Sequence, residues 1–362
     1  KRSNQLAYVL RARGAGIGKY IGICLDRSPD MVVALLAVAK SGSPYVPLDP
    51  QYPVDRLSFM VQDTAAVLVI TEKQYSALFE SDVFLIDGDG AAEIAASPDT
   101  RLNPLGSSRD VCYAIFTSGS TGNPKGVVLC HHAVVNTLDW VTRSYGIGPG
   151  DRLLFVTSHC FDLSVYDVFG VLGAGGTVVV ASSALLADPQ ALANAIVAQK
   201  ITIWDSAPAA LQRLVPFFPD SVKSMLRLVM LSGDWIPLTL PDALRASFQG
   251  VEVKSMGGAT EAAIWSNYFH IGDIDPHWIS IPYGKPIQNA AYYVLDAGLR
   301  PVPIGVSGDL YIGGVCLADG YLNRPELTCE RFIANHLSAQ ADARIYKTGD
   351  LARYWDDGNL EF

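Results

Sequence analysis

The chain has 362 residues, of which 49% are hydrophobic and 17% are charged, and this composition predicts a globular protein with roughly two or three domains or lobes. Its formal net charge is −9 and its Lys and Arg residues form no cluster, which argues against a nucleic-acid-binding protein. Because the sequence carries neither a signal peptide nor an apolar run of about 20 residues, we expect a cytoplasmic protein that does not enter a membrane.

Segments with the spacing of strands and of helices alternate along most of the chain. Strands are predicted at 20–25, 66–70, 153–157, 177–181, 201–205 and 226–231. Helices are predicted at 28–41, 165–172, 189–200 and 207–215. The alternation predicts mostly parallel sheets covered by helices, in α/β lobes at approximately 1–180 and 181–285. The short segments that follow are rich in Gly and Pro, and they predict a small β-barrel subdomain at 286–362.

The stretch 113–126 concentrates hydroxyl residues, glycines and one lysine between two apolar segments. Backbone N–H groups, hydroxyl groups and a cation in a small volume are suited to holding a polyphosphate. The apolar, β-branched exit at 126–130 predicts a strand–loop–strand setting, and Pro124 and Gly126 depart from the P-loop pattern, so a P-loop NTPase is disfavoured. An ordinary hairpin linker rich in Ser and Gly is the alternative. The candidate phosphate-binding residues are Thr117, Ser118, Gly119, Ser120, Thr121, Gly122 and Lys125.

The segment 256–264 places two glycines beside a hydroxyl group and a carboxylate. Gly257 and Gly258 permit close approach of the backbone to a ligand. Glu261, next to Thr260, has the chemistry to hold a magnesium ion bound to phosphate. The alternative is a helix start in which Thr260 is the cap and Glu261 favours the first turn.

Two further carboxylates stand at places where a ligand would be held. Asp162 follows a predicted strand and precedes a predicted helix, so it is either an exposed helix cap or a partly buried anion that needs a cationic partner. Asp350 ends a predicted short loop at 346–350, where it would accept hydrogen bonds from two ribose hydroxyls. A simple turn aspartate is the alternative for Asp350.

The cysteines and the paired histidines do not indicate a metal site. The six cysteines lack metal-type spacing and most lie in apolar runs, which predicts buried free thiols. His131 and His132 are adjacent, and adjacent residues of a helix do not share a face.

Six segments, taken in chain order, resemble the motifs of non-ribosomal peptide synthetase adenylation domains, which belong to the acyl-adenylate-forming superfamily. They lie at 41–49, 113–126, 161–164, 258–261, 308–314 with 320–322, and 346–353. The resemblance implies an α/β fold in which two helix-covered, mostly parallel sheets are joined by a small distorted β-barrel. It also implies that 1–362 is the large N-terminal core, without the C-terminal small lobe that carries the family's catalytic lysine.

The resemblance implies activation of an amino acid by Mg²⁺ and ATP as an aminoacyl-adenylate. The aminoacyl group would then pass to the phosphopantetheine thiol of a peptidyl carrier protein domain, as in the secondary metabolism that makes peptide antibiotics. Lys125 and the loop residues named above would hold the β- and γ-phosphates, Thr260 the α-phosphate, Glu261 the magnesium ion and Asp350 the ribose. Lys125, Thr260 and Glu261 are the candidate catalytic residues.

The family's adenine-stacking tyrosine is replaced in this chain. Gly257 stands at its position and offers no ring, so the backbone of Gly257, Gly258 and Ala259 would contact the base.

The resemblance also assigns an amino-acid pocket in which Asp162 would pair with the α-ammonium group of the substrate. A second acid, Asp205, favours a short cationic side chain, 2,3-diaminopropionate first and 2,4-diaminobutyrate next. Cysteine or serine is the neutral alternative, and Asp205 facing away toward a backbone N–H is the alternative geometry. The pocket positions are Asp162, Leu163, Tyr166, Asp205, Met230, Ser232, Met256, Ile264 and Trp265.

Two other functions compete with amino-acid activation. An acyl- or aryl-CoA ligase of the same superfamily is disfavoured because Asp162 would repel a plain acid. A degenerate, non-catalytic nucleotide-binding module is disfavoured by the complete phosphate loop and Glu261. The stretch 325–332 resembles the docking site of MbtH-like proteins but has Cys329 where a small alanine is usual, so that partner stays open.

Overall fold

The computed structural model describes residues 1–118, 124–218 and 224–362, and the chain forms two compact units. The first unit is made of Lys1–Val134, His159–Phe161 and Ala318–Thr328. The second unit is made of Val135–Ser158, Asp162–Leu317 and Cys329–Phe362. No helix in these described ranges is long and apolar enough to span a membrane.

The strands are numbered in chain order. They are β1 (Ile21–Cys24), β2 (Tyr45–Pro47), β3 (Leu68–Thr71), β4 (Val83–Leu85), β5 (Val111–Thr117), β6 (Lys125–Cys130), β7 (Arg152–Phe155), β8 (Thr177–Val180), β9 (Ile203–Ser206), β10 (Leu228–Leu231), β11 (Glu252–Gly257), β12 (Asn267–Ile271), β13 (Lys285–Pro286), β14 (Ala290–Leu295), β15 (Gly308–Gly314), β16 (Gly320–Tyr321), β17 (Phe332–Ala334), β18 (Arg344–Tyr354) and β19 (Leu360–Glu361).

The helices are numbered in the same way. They are α1 (Arg2–Ala12), α2 (Pro29–Ser41), α3 (Val54–Thr64), α4 (Asp89–Ala96), α5 (His131–Ser144), α6 (Leu163–Val165), α7 (Val171–Gly173), α8 (Ser183–Ala187), α9 (Pro189–Ala198), α10 (Pro208–Gln212), α11 (Leu240–Ser247) and α12 (Pro325–Arg331). A π-helical segment, Tyr166–Gly170, joins α6 to α7, and short 3₁₀ turns lie at Lys73–Leu78, Val215–Phe217 and Thr260–Ala262.

The first unit is built on a seven-stranded sheet in the order β16-β6-β5-β2-β1-β3-β4. The strands from β5 to β4 pair in parallel, and β6 pairs antiparallel with β5, with Thr117 opposite Lys125. The predicted strand–loop–strand setting is therefore confirmed. The predicted phosphate-loop residues Gly119, Ser120, Thr121 and Gly122 lie outside the described residues.

The helix predicted after β1 illustrates how local sequence specifies an element of this unit. The Ser28 hydroxyl caps α2 by accepting a hydrogen bond from the N–H of Met31, and Pro29 occupies the first turn, where no N–H donor is needed. The helix ends before Gly42, as predicted. Ala34, Leu35 and Val38 are buried on one side of the helix, so α2 packs against the first unit through this apolar face.

The second unit contains a seven-stranded sheet in the order β13-β12-β11-β10-β9-β7-β8. Its five strands from β11 to β8 are parallel, and β12 and β13 continue it antiparallel. Strand β7 belongs to this sheet because Leu153 pairs with Ile203, so the sheet begins before residue 180. The lobe limits near 180 and 285 stay approximate predictions. Trp204 and Phe248 are large buried side chains of the apolar core beside this sheet.

A third, antiparallel sheet of the second unit runs in the order β14-β15-β18-β17, with β19 paired to β18. This sheet lies in the region predicted as a β-barrel, and the predicted α/β fold class of an adenylation core is confirmed. The prediction of a short loop at 346–350 is wrong. Those residues are part of β18. Tyr346 and Lys347 lie opposite Ile312 and Tyr311 of β15, and Leu351 lies opposite Asp309, with a shift of register in between.

Candidate active site

The first unit positions the predicted phosphate-binding lysine. Lys125 begins β6, and its ammonium group donates a hydrogen bond of 3.0 Å to the hydroxyl of Tyr321. The same ammonium group lies 4.3 Å from the centre of the Tyr321 ring. Tyr321 is held beside the lysine because β16 pairs with β6. A hydrogen bond and a cation–π contact thus hold a charged side chain at the exit of the predicted loop.

The entrance of the same loop is Thr117, at the end of β5. Its hydroxyl oxygen is buried and has no hydrogen-bond partner among the described residues. Ser118, the next residue, is exposed. A buried hydroxyl without a partner costs free energy unless a ligand or water satisfies it, which is consistent with the predicted role of Thr117 in binding phosphate.

In the second unit, Asp162 is buried directly before α6 and next to two other predicted site residues. The Thr260 hydroxyl donates a hydrogen bond to its carboxylate, and the carboxylate of Glu261 is near enough to repel it. Burial raises the pKa of Asp162 to about 6, the Thr260 bond opposes this rise, and the charge of Glu261 adds to it. The exposed-cap alternative for Asp162 is therefore wrong, and a cation would stabilise its ionised form.

Thr260 and Glu261 lie in a tight 3₁₀ turn that begins after Ala259. Thr260 does not cap a helix, because its hydroxyl is used by Asp162, so that alternative is also wrong. The turn is followed by Ala263 and Ile264 with φ angles of 53° and 72°. A positive φ is costly for a β-branched residue, and such strain is concentrated at functional sites.

Asp205 is fully buried on β9 beside a second carboxyl group that sequence reasoning missed, that of Asp167. Apart from Asp167, no described group is a hydrogen-bond partner of its carboxylate oxygens, so the predicted alternative of a bond to a backbone N–H is wrong. Burial raises the pKa of Asp205 well above its ordinary value, and the negative charges of Asp167 and Asp162 raise it further. The structure therefore brings three acids near one another.

Aromatic side chains of the predicted pocket brace one another around these acids. The rings of Tyr166 and Trp265 are buried with centroids 5.4 Å apart, and the indole N–H of Trp265 donates to the hydroxyl of Ser232 over 3.0 Å. Met256, on β11, accepts a hydrogen bond from the Tyr145 hydroxyl at its sulfur over 3.4 Å. These contacts join three of the predicted positions, Tyr166, Trp265 and Ser232, in one packed cluster.

Strand pairing and the helical turn after Asp162 determine where the other residues around the predicted pocket lie. Met230 lies opposite Asp205 in the parallel pair of β9 and β10, so the two side chains are neighbours on the sheet. Leu163 begins α6 directly after Asp162. Asp167 lies five residues beyond Asp162 in the π-helical segment, which has about one extra residue per turn. An acid inside an apolar helical stretch was the sequence signal that could have identified Asp167.

Three predicted nucleotide-binding residues line one cavity of about 280 Å³ in the second unit. Gly257 and Gly258 form part of its wall, and Asp350, which is exposed on β18, lies at the same cavity. Sequence reasoning missed the aromatic residues that share it, Tyr283, Trp235 and Phe362. Tyr283 lies far along the chain from the segment 256–264, so no local pattern connected it with the glycines.

Glu261 fits the chemistry of a magnesium site in which phosphate oxygens supply the other ligands. Glu261 is 6% exposed and follows the hydroxyl residue Thr260. Mg²⁺ commonly uses one or two carboxylates together with substrate phosphates and water, so a single acid suffices on the protein side.

Comparison with known proteins gives a consistent result. The family profile of AMP-binding enzymes matches residues 1–322. The whole chain is 39% identical to part of bacitracin synthase 1 of Bacillus licheniformis and 41% identical to part of the pyochelin synthetase PchE of Pseudomonas aeruginosa (strain UCBPP-PA14). It spans 6% of the length of the first and 24% of the second.

Solved structures of a nonribosomal peptide synthetase, FmoA3, are similar over 99% of this chain. The α-methyl-L-serine-AMP-bound form superimposes with a TM-score of 0.92 at 34% identity, and this chain covers 40% of it. The AMPPNP-bound form also has a TM-score of 0.92, and 38% of that chain is covered.

Proposed function

This chain belongs to the family of AMP-binding enzymes and is the core of an adenylation domain of the non-ribosomal peptide synthetase type, and from this premise we propose that it activates an amino acid with ATP. The observation that carries the proposal is the buried Asp162, which accepts a hydrogen bond from Thr260 beside Glu261. A carboxylate suited to an α-ammonium group thus lies next to the pair assigned to phosphate and magnesium.

The reaction forms a mixed anhydride between the amino acid and AMP. A carboxylate oxygen of the substrate attacks the α-phosphorus of ATP, the bond from that phosphorus to the α,β-bridging oxygen breaks, and pyrophosphate leaves with the bonding electrons. Asp162 would hold the ammonium group and so orient the carboxylate, which is the positioning part of catalysis. Thr260 and Lys125 would hold α- and β,γ-phosphate oxygens, where negative charge accumulates.

Magnesium, held by Glu261, would supply charge neutralisation at the phosphates when bound. Asp350 would accept hydrogen bonds from the ribose hydroxyls, because its exposed carboxylate lies at the same cavity as Gly257 and Gly258. Thr117 and Ser118 would contribute hydroxyl groups to the phosphates. Gly119, Ser120, Thr121 and Gly122 are assigned to the same role by the family resemblance alone.

For the substrate side chain, the buried pair of Asp205 and Asp167 favours a short cation, with 2,3-diaminopropionate first and 2,4-diaminobutyrate second. Burial and mutual repulsion both disfavour the ionised forms of these two carboxyl groups, and a nearby ammonium group would offset both effects. Cysteine or serine is the second candidate. It is favoured by the same raised pKa, because a protonated Asp205 is a neutral hydrogen-bonding group.

The later steps follow from the family. The aminoacyl group would be transferred to the phosphopantetheine thiol of a peptidyl carrier protein, with release of AMP. The stretch 325–332 includes the exposed Cys329 in α12, and an MbtH-like partner at this stretch stays an open question.

Amino-acid-dependent ATP–pyrophosphate exchange by the full-length protein tests the proposal. We expect Asp162→Asn to lower kcat/KM for the amino acid by about 10- to 100-fold, since a hydrogen bond to a charged group is lost. The KM for ATP should change little. Asp139→Asn is the matched control, because Asp139 is a half-exposed acid on α5 that pairs with a helix neighbour, Arg143.

Exchange by wild-type protein that does not depend on any amino acid would contradict the proposal. So would an Asp162→Asn variant with undiminished amino-acid activation. Activation of a simple carboxylic acid in preference to every amino acid of a broad panel would favour the acyl- or aryl-CoA ligase instead.

A further inference from the structure

Gly257 is closely covered by two side chains of the second unit. A Cβ atom added to Gly257 would lie 2.4 Å from Cε2 of Tyr283 and 2.2 Å from Oδ1 of Asn267. A close-packed interior does not tolerate such distances, so no side chain fits at 257 while these neighbours keep their places. The Tyr283 ring therefore occupies space that a side chain at position 257 would need.

The backbone of Tyr283 is held firmly in this position. Its N–H donates a hydrogen bond of 2.8 Å to the carbonyl of Leu360, and the next residue, Gly284, accepts one of 2.8 Å from the N–H of Leu360. This two-bond bridge fixes the chain from which the ring projects. Tyr283 is therefore a preorganised part of the wall.

The hydroxyl end of Tyr283 is fixed as well. It hydrogen bonds with the backbone of Gly258 and with the hydroxyl of Tyr292, which in turn bonds to Ser266 over 2.7 Å. Burial raises the pKa of Tyr283 to about 12, so the phenol stays neutral. Because its backbone and its hydroxyl group are both held by hydrogen bonds, the Tyr283 ring has a fixed orientation.

That ring is one of three aromatic groups at the cavity that also contains Gly257, Gly258 and Asp350. Phe362 lies almost parallel to Tyr283, with centroids 5.0 Å apart and an interplanar angle of 19°. Trp235 lies 6.2 Å from Phe362. A flat ring, that of Phe362, thus fits against this face of Tyr283, and adenine would stack there in place of Phe362.

We propose that Tyr283 is an adenine-binding residue of this protein, supplying the aromatic surface that Gly257 lacks. The inference rests on the proposed function, since it requires ATP in the cavity beside Asp350. The ring comes from a segment 26 positions further along the chain than Gly257, and the missing side chain at 257 is what gives it room. Tyr283 contacts the base and does not take part in bond making.

The competing explanation is that Tyr283 only fills the gap above Gly257. The two roles predict different effects on the affinity for ATP, which contains a base, and for tripolyphosphate, which does not. A stacking residue affects ATP but leaves the affinity for tripolyphosphate unchanged. A purely structural residue affects both together, or neither.

The test measures dissociation constants of ATP and of tripolyphosphate for the full-length protein by titration calorimetry. We expect Tyr283→Ala and Tyr283→Leu to weaken ATP binding by about 10-fold or more, because a base stacked on an aromatic ring is lost. Tripolyphosphate affinity should stay within about twofold of wild type. Tyr283→Phe, which keeps the ring, should bind ATP within about threefold of wild type.

The variants also guard against a folding artefact. Tyr283→Leu retains apolar volume at the site, so it carries the test if Tyr283→Ala does not fold, and the Tm of each variant is recorded. ATP binding undisturbed by Tyr283→Leu would overturn this inference and leave the proposed function standing. Equal weakening of ATP and tripolyphosphate would also overturn it. Wild-type protein that does not bind ATP would overturn the proposed function and the inference together.

Discussion

At the scale of single residues, two of the buried aspartates of the second unit, Asp162 and Asp205, have different partners. Asp162 is stabilised by a hydroxyl donor, Thr260, whereas Asp205 faces another carboxyl group, that of Asp167. Burial raises the pKa of both, and the carboxyl group of Asp167 raises that of Asp205 further. An ammonium group would stabilise the ionised form of either residue, and this is why we assign one to the α-amino group and the other to the side chain of the substrate.

The raised pKa of Asp205 predicts a pH dependence. With an empty pocket, Asp205 is protonated below its raised pKa, and a cationic side chain can pair with it only after the proton leaves. We therefore expect kcat/KM for 2,3-diaminopropionate to rise with pH through that pKa in exchange assays. Asp205→Asn should lower kcat/KM for 2,3-diaminopropionate and remove its increase with pH. The kcat/KM for cysteine should be at least as high as in the wild-type protein.

The raised pKa of Asp205 also predicts that its contribution to stability changes with pH in the opposite direction to activity. A carboxyl group whose pKa is raised by folding stabilises the fold at low pH, and this contribution is lost as the pH rises through the folded-state pKa. Asp205→Asn should thus gain stability over wild type as the pH increases, measured by denaturant unfolding at several pH values. Identical pH profiles of the two proteins, for both activity and stability, would refute the assignment of Asp205.

The residues that sequence reasoning identified share a local signal. Asp162, Thr260 and Glu261 are polar groups at strand ends or beside glycines, and such places are visible in a short window of sequence. Asp167 and Tyr283 are not marked in this way. They reach the site through a π-helical turn and through a β-bridge to Leu360, and both features depend on the packing around them.

At the scale of elements, the segment between β12 and β13 determines where Tyr283 points. Gly284 has a φ of +97°, and a Cβ atom there would lie 2.0 Å from the carbonyl oxygen of Tyr268. Only glycine is compatible with both the conformation and the close approach.

Replacing Gly284 tests this element. We expect Gly284→Ala to lower the free energy of unfolding by roughly 2–4 kcal/mol, from backbone strain and overpacking together. It should also weaken ATP binding by displacing Tyr283. Gly305→Ala is the control, because Gly305 has a similar φ of +79° but open space around it, so only about 1–2 kcal/mol is expected. Equal losses in chemical denaturation would show that the close approach to Tyr268 is unimportant.

Strand β18 shows how an element can override a local pattern. Its residues 346–350 contain Gly349 and a C-terminal aspartate, which is typical of a turn. In the structure the hydroxyl of Thr348 donates to the carbonyl of Leu310 on β15 over 2.9 Å, and the segment is held within the sheet. Asp350 lines the cavity with Gly257 and Gly258, and its role toward ribose stays a prediction. Its setting in the sheet required a partner strand about 40 positions earlier in the chain.

At the scale of the whole molecule, each unit has a core of its own. Trp204, Leu192 and Phe248 belong to the core of the second unit, and Leu57 and Met60 belong to one in the first. Because each unit has its own core, we expect a core substitution in one unit to destabilise that unit and leave the other folded.

Hydrogen exchange measured by mass spectrometry tests this expectation. Trp204→Ala should lower the stability of the second unit by about 3–5 kcal/mol, and the amides of β9 and β10 should lose protection while those of β1 and β3 keep theirs. Leu57→Ala should produce the reverse pattern. Simultaneous loss of protection in all four strands, in either variant, would show that the chain unfolds as one cooperative body.

The sequence alone was sufficient for the class of fold, for part of the strands and helices, and for the strand–loop–strand setting of the predicted phosphate loop. These features depend on residue spacing and on caps such as Ser28, which act within a few positions. The tertiary structure decided which side chains meet. A π-helical turn brings Asp167 beside Asp205, and a β-bridge to Leu360 holds the Tyr283 ring above Gly257. The free energy of these contacts arises between segments far apart in the chain, so it is not visible in a short window of sequence.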